Sequence, residues 1–186
     1  MKDLSLHLMD IAQNSIAAGA NLIKILLICK DGILSFSLSD DGKGMDEEML
    51  KSVTDPFTTS RTTRKVGLGI PLLKQSAEMS GGMLKMQSIK GKGTTVQASF
   101  VVDSIDRIPI GSIDETLTSL IMATPEIDYD VTFQSDRAVF ELNTVDIKKY
   151  LNGVPINNTE VVSWIAKNIR EGIKEVFGGV LNEIPS

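Results

Sequence analysis

Asp31-Gly32 lies between two apolar runs, residues 21–30 (NLIKILLICK) and 33–39 (ILSFSLS), and no other feature restricts the chain's fold as much. A tight hairpin needs positive φ at both central turn positions, and Asp-Gly supplies them, so the two runs read as paired antiparallel strands. Ahead of them, Leu4, Leu8, Ile11 and Ala12 make one apolar stripe, which predicts a helix over 4–18 with Asp3 as N-cap and Gly19 as its stop. After the hairpin, Asp40 to Met45 reads as a glycine-bearing loop, and Asp46 to Lys51 as a short helix with acids in its first turn. Residues 56–66 are polar and read as a mobile loop. Helical periodicity returns over 69–80, with Pro71 tolerable in the first turn and Gly81-Gly82 closing it. Residues 83–90 and 94–102 read as a second hairpin, turning at Gly91-Lys92-Gly93. The order helix, two strands, helix, loop, helix, two strands predicts an α/β (α+β) two-layer sandwich: a mixed sheet with helices on one face.

Asp103, Asp106, Pro109 and Gly111 mark a boundary after Val102. Residues 1–102 are therefore expected as one domain and 103–186 as a small α+β C-terminal extension. The extension reads as helices over 112–124, 144–151 and 158–176, with a hairpin over 128–135 and 137–143. At 186 residues and 42% hydrophobic, the chain has enough material for a packed core. A net charge of −5 and a pI of about 4.9 argue against a broad nucleic-acid-binding face, which needs clustered Lys and Arg. The single cysteine, Cys29, rules out a disulfide within one chain and reads as a small buried hydrophobe. No apolar segment reaches the roughly 18 residues of a membrane span. The N-terminus also lacks the basic and apolar regions of a signal peptide, so the expected location is cytoplasmic.

Four short motifs carry chemistry. Asp10 and Asn14 are four apart, so on a helix they stand one above the other. A carboxylate and a carboxamide so placed suit a hydrated Mg²⁺ and an oriented water; a plain polar helix face is the competing reading. Asp40-Asp41-Gly42-Lys43-Gly44 directly follows a strand. Its glycines permit close backbone approach to a flat ligand, and an Asp fixed before them can accept a hydrogen bond from an exocyclic amine. An ordinary turn or a calcium-like loop competes there. Gly67-Leu68-Gly69 opens a helix, where freed N–H groups and the helix dipole favour an anion; a helix-entry turn competes. Gly91-Lys92-Gly93-Thr94-Thr95 is at least a hairpin turn, and its Thr is placed to donate or accept near a base.

Together, DxxxN on the first helix, DxGxG after a strand, a Thr- and Arg-rich loop after Phe57, GxG at a helix start and GxGT in a hairpin resemble the GHKL superfamily. That superfamily comprises gyrase, heat-shock chaperone, histidine-kinase and MutL-type ATPases. DPFTTS followed by KVGLGIPLLKQSAEMSGG looks most like the histidine-kinase branch, while NSIAAGA, beginning at Asn14, resembles the MutL helix. The resemblance covers residues 4–102 and implies a Bergerat-type ATP-binding fold with ATP and Mg²⁺ as cofactors. By this resemblance Asn14 coordinates Mg²⁺, and Asp10 stands where hydrolytic members usually carry the Glu that activates water. Asp40 binds the adenine amine, with Gly42, Gly44 and Met45 at the pocket wall and Thr94 in the water-mediated contact around adenine. Gly67, Leu68 and Gly69 approach the phosphates. The lid runs from Phe57 to Gly67, and Arg61, Arg64 and Lys65 are expected to contact phosphate from it.

The implied activity is that of a stand-alone Mg-ATP-binding protein. Its candidate roles are a regulatory kinase acting in trans (histidine-kinase-like or anti-sigma-type) and a slow ATPase switch. A nucleotide-sensing interaction module without turnover is the alternative, and the shorter Asp10 favours it. A protein partner is expected through residues 103–186, and a homodimer is compatible with the reading. His7, the sole histidine, reads as structural, because family phosphoacceptors sit on a separate dimerisation helix. Trp164 reads as core or an interface anchor, and the methionines as packing.

Overall fold

In the computed structural model of the chain, residues 2–54 and 69–184 are described. The chain runs α1 (Leu4–Ala17), β1 (Leu22–Lys30), β2 (Ile33–Asp40), α2 (Glu47–Thr54), α3 (Gly69–Met79), β3 (Met83–Ile89) and β4 (Gly93–Val101). It continues with α4 (Ile113–Ala123), β5 (Asp128–Ser135), β6 (Val139–Asn143), α5 (Thr144–Tyr150) and α6 (Thr159–Phe177). Asp3 caps α1 by accepting from the Leu6 N–H, and Asp31 and Gly32 turn the first hairpin with φ of 52° and 72°.

The strands form one six-stranded sheet in the order β3-β4-β2-β1-β5-β6. All neighbours are antiparallel except β1 and β5, which run parallel with Leu22 opposite Asp128. The strands of the C-terminal extension therefore continue the first sheet rather than starting another.

One face of the sheet is buried. Ile23, Ile25, Leu27, Leu34, Phe36, Leu38, Val96, Phe100, Val131 and Phe133 alternate inward along their strands, and the helices close over them. α3 lies against β3 and β4, α1 packs between α3 and α4, and α6 covers β5 and β6. The other face carries Ser35, Ser37, Gln97 and Ser99 around Leu26 and Ile28. Polar positions on that face satisfy themselves across strands or in water, which is why a two-layer fold suffices.

Besides the packing of α4 on α1, two backbone hydrogen bonds tie the extension to the start of α1. Leu4 and Ser5 donate their N–H groups to the carbonyls of Pro109 and Ile110, 2.9 and 3.0 Å away. That loop is held in turn by Arg107, whose guanidinium grips Glu183 through two hydrogen bonds of 2.8 and 2.6 Å. The loop that caps α1 thus depends on the last turn of the chain.

Two packing expectations are corrected. Trp164 is not core: it is 54% exposed and lines an apolar groove with Tyr150, itself 86% exposed, between α5 and α6. Met79, Met83 and Met122 are exposed as well, so apolar periodicity overstated their burial. Cys29 is buried.

Candidate functional site

The helix-facing end of the sheet brings three of the four motifs together. Register places Asp40 opposite Thr94, and Thr94 opposite Ser88, so the three side chains form one row across β2, β4 and β3. α1 passes over this row, and the buried Ser15 hydroxyl donates to Asp40 Oδ2 at 2.7 Å. Asp40 Oδ1 accepts from the Gly42 N–H at 2.9 Å and the Thr94 N–H at 3.3 Å. The carboxylate is thereby locked in orientation while half-buried. Each carboxylate oxygen offers about two lone pairs. Among the described residues Oδ1 has two donors and Oδ2 one, the Ser15 hydroxyl, and a further acceptor position on Oδ2 suits an exocyclic amine.

The loop after β2 is pressed onto the second hairpin. Lys43 donates to the Ala18 carbonyl at 3.0 Å, and its own carbonyl accepts from the Gly91 N–H at 2.7 Å. Gly44 has φ of 60°, and a Cβ there would lie 2.1 Å from the Ile89 carbonyl oxygen. Only glycine fits, and the close approach here is to the second hairpin. Met45 follows, half-buried, with its N–H on Ser88 Oγ at 2.8 Å. Asp41 does not reach the row: its Oδ1 accepts from the Asn21 and Leu22 N–H groups at the start of β1.

Asp10 and Asn14 lie on α1 one turn apart, both half-buried. Asp10 Oδ2 is buried with no hydrogen-bond partner among the described residues. It faces the start of α3, where a Cβ at Gly69 would sit 1.8 Å from it. Burial pushes the Asp10 carboxyl above the ordinary carboxylate range. His7, one turn earlier, is 0% exposed, and neither ring nitrogen has a hydrogen-bond partner among the described residues. Burial pulls its pKa below the ordinary histidine value, opposed in part by the Gly69 backbone.

Of the residues expected at the site, Phe57, Arg61, Arg64, Lys65, Gly67 and Leu68 lie outside the described residues. Ser15 and Ser88 were missed. Ser15 follows Asn14 directly, and its helical position above Asp40 was the available signal. Ser88 was hidden by the turn, which is centred one residue earlier than expected.

The chain matches the family described as histidine kinase-, DNA gyrase B- and HSP90-like ATPase over residues 2–104. It is a member of that family. Among curated relatives, the autoinducer 2 sensor kinase/phosphatase LuxQ of Vibrio vulnificus is 40% identical over 76 residues, 38% of this chain and 9% of that protein. The sensor histidine kinase ZraS of Klebsiella oxytoca is 34% identical over 65 residues, 35% of this chain and 14% of that one. This ATPase-family chain thus spans a small fraction of the curated relatives it matches. A solved N-terminal domain of a DNA repair protein aligns at TM-score 0.51 and 18% identity, over 77% of this chain and 53% of the other, a likeness of fold alone. Among the described residues, no helix is long and apolar enough to cross a membrane.

Proposed function

We infer that this ATPase-family chain binds ATP with Mg²⁺ and turns it over slowly, as a switch or as a regulatory kinase acting in trans. The observation that carries this reading is the Asp40 carboxylate, fixed by Ser15, Gly42 and Thr94 with a further acceptor position on Oδ2. That position accepts adenine's amine and meets the carbonyl of guanine with repulsion. The Asn14 carboxamide, half-buried on α1 one turn after Asp10, supplies an oxygen of the kind a hard cation takes. The described residues hold no cluster of three or more His, Cys, Asp or Glu suited to a metal. Mg²⁺ takes few protein ligands and completes its shell with phosphate oxygens and water. Bound there, Mg²⁺ would neutralise phosphate charge.

Asp10 is the candidate base. Its carboxyl is shifted upward by burial, the direction a base working near neutral pH requires. Asp10→Asn should lower phosphate release from γ-labelled ATP by about a hundredfold, the scale of general-base catalysis, while ATP-analogue binding persists. Label appearing in a protein band instead of free phosphate would favour the kinase.

A nucleotide-sensing module without turnover is the second reading. It is favoured by the packing of Asp10 Oδ2 against the start of α3, which keeps water from one carboxylate oxygen. No phosphate release from the wild-type chain, with binding intact, would select it. A protein partner acting through residues 103–186, a homodimer and a cytoplasmic location belong to the same proposal. The half-exposed Trp164 beside Tyr150 supports the first of these.

A further inference from the structure

Ser88 holds more hydrogen-bond partners than its hydroxyl has hydrogens. Its Oγ accepts from the Met45 N–H at 2.8 Å, and both the Gly93 carbonyl oxygen, at 3.1 Å, and Thr94 Oγ1, at 2.9 Å, lie within reach of its one hydrogen. A serine hydroxyl carries one hydrogen and two lone pairs. If the hydrogen goes to the Gly93 carbonyl, Thr94 must donate to the remaining lone pair of Ser88 and shows the pocket only lone pairs. If it goes to Thr94 Oγ1, the Thr94 hydrogen is released toward the pocket. One hydroxyl therefore decides whether Thr94 acts as donor or acceptor.

The row Asp40, Thr94, Ser88 gives this choice a chemical meaning. Asp40 can only accept. Adenine's pairing edge offers an amine donor beside the N1 acceptor, so it needs an acceptor and a donor side by side; guanine's edge has the reverse polarity. An Asp40 acceptor next to a Thr94 donor matches adenine, and when Ser88 donates to Thr94 Oγ1 the Thr94 hydrogen is turned away from Ser88 and toward the pocket. The Met45 N–H strengthens that arrangement. It occupies one Ser88 lone pair, and by polarising the hydroxyl it makes Ser88 a better donor. Because Met45 belongs to the DxGxG loop, the same hydroxyl also ties the pocket wall to β3.

We propose that Ser88 is a positioning residue for purine recognition, orienting the Thr94 hydroxyl as a donor toward adenine N1, directly or through a water. This inference rests on the ATP-site reading and assigns Ser88 a part in its specificity. The test compares three nucleotides on the full chain with Mg²⁺: ATP, 1-deaza-ATP, which lacks the N1 acceptor, and purine riboside triphosphate, which lacks the amine but keeps N1. Wild type should prefer ATP over 1-deaza-ATP by about tenfold, the scale of one hydrogen bond. In Ser88→Ala that preference should fall below about threefold, while the preference for ATP over the amine-free analogue, read by Asp40, stays. Ser88→Thr, which keeps a hydroxyl, should restore the N1 preference. Each ratio is internal to one variant, so a general loss of stability cancels. Equal weakening of all three nucleotides in Ser88→Ala would overturn the proposal and leave Ser88 a purely structural residue. So would wild-type ATP binding with no N1 preference, and in that case ATP binding itself stands. Absence of ATP binding by the wild type would instead remove the site reading and this inference together.

Discussion

Alanine at position 93 should destabilise the fold by about 3 kcal/mol or more, since two costs add. Gly93 opens β4 with φ of 110°, a conformation that L side chains rarely adopt. A Cβ there would also lie 1.9 Å from the Asp40 carbonyl oxygen and 3.0 Å from the Asp41 Cα. Both obstacles are backbone, so no side chain can swing aside. Relief would require β4 to part from β2 at the row holding Asp40 and Thr94. Gly91, two residues earlier, provides the comparison. Its φ is 80°, but a Cβ there would meet nothing within 4 Å. Gly91→Ala should cost only the backbone term, about 1 kcal/mol. Denaturant unfolding of the two variants separates the contributions, and equal midpoints would contradict the close approach of β2 to β4.

Glu183→Gln should cost about 3 kcal/mol, the scale of breaking a buried ion pair from one side. The Arg107 side chain is only 6% exposed and points both terminal nitrogens at the Glu183 carboxylate, while its Nε donates to the Val102 carbonyl. Removing the carboxylate charge leaves a guanidinium buried without its counter-charge. Burial alone would raise the Glu183 carboxyl. The Arg107 hydrogen bonds and charge, with the N–H of Ile110, outweigh it and hold the group below the ordinary carboxylate range. A carboxyl depressed in the folded state adds stability above its unfolded value, about 4.3, and loses it as pH falls through the folded value. The wild type should therefore lose stability below about pH 4, and Glu183→Gln should show a shallower acid decline from a lower plateau. Thermal midpoints between about pH 3 and pH 7 check this; parallel curves would show that the clasp bears no load. Because the same loop accepts from Leu4 and Ser5, weakening it should also loosen the start of α1, the helix that carries Asp10 and Asn14.

Much of the fold is written in local signals. Asp31-Gly32 set the first hairpin, the stripe from Leu4 to Ala12 set α1, and Gly44 takes the positive φ that its place in the loop allowed. The parts that escaped notice depend on distant partners. Parallel pairing of β5 with β1 leaves no local mark, since a parallel neighbour arrives through a long crossover and its register is set by packing. The second hairpin was read with its turn at Gly91-Lys92-Gly93, which would pair Thr94 with Lys90. Gly93 is instead the first residue of β4, glycine being needed there for its contact with Asp40, and the register moves so that Ser88 faces Thr94. A shift of two in pairing keeps every side chain on its expected face, so periodicity could not detect it. For Trp164 the sequence left core and interface anchor open, because an apolar side chain at helical spacing gives the same pattern in both; its exposure removes the core reading.

The central claim is that Asp40 reads adenine in a site where Mg²⁺ joins the phosphates. The most direct measurement is the affinity of a non-hydrolysable ATP analogue, with and without Mg²⁺, for wild type and Asp40→Asn. The expected result is Mg²⁺-dependent binding that the substitution weakens by about 1–3 kcal/mol, the loss of a hydrogen bond to a charged acceptor. Equal affinity in the two proteins would contradict the assignment.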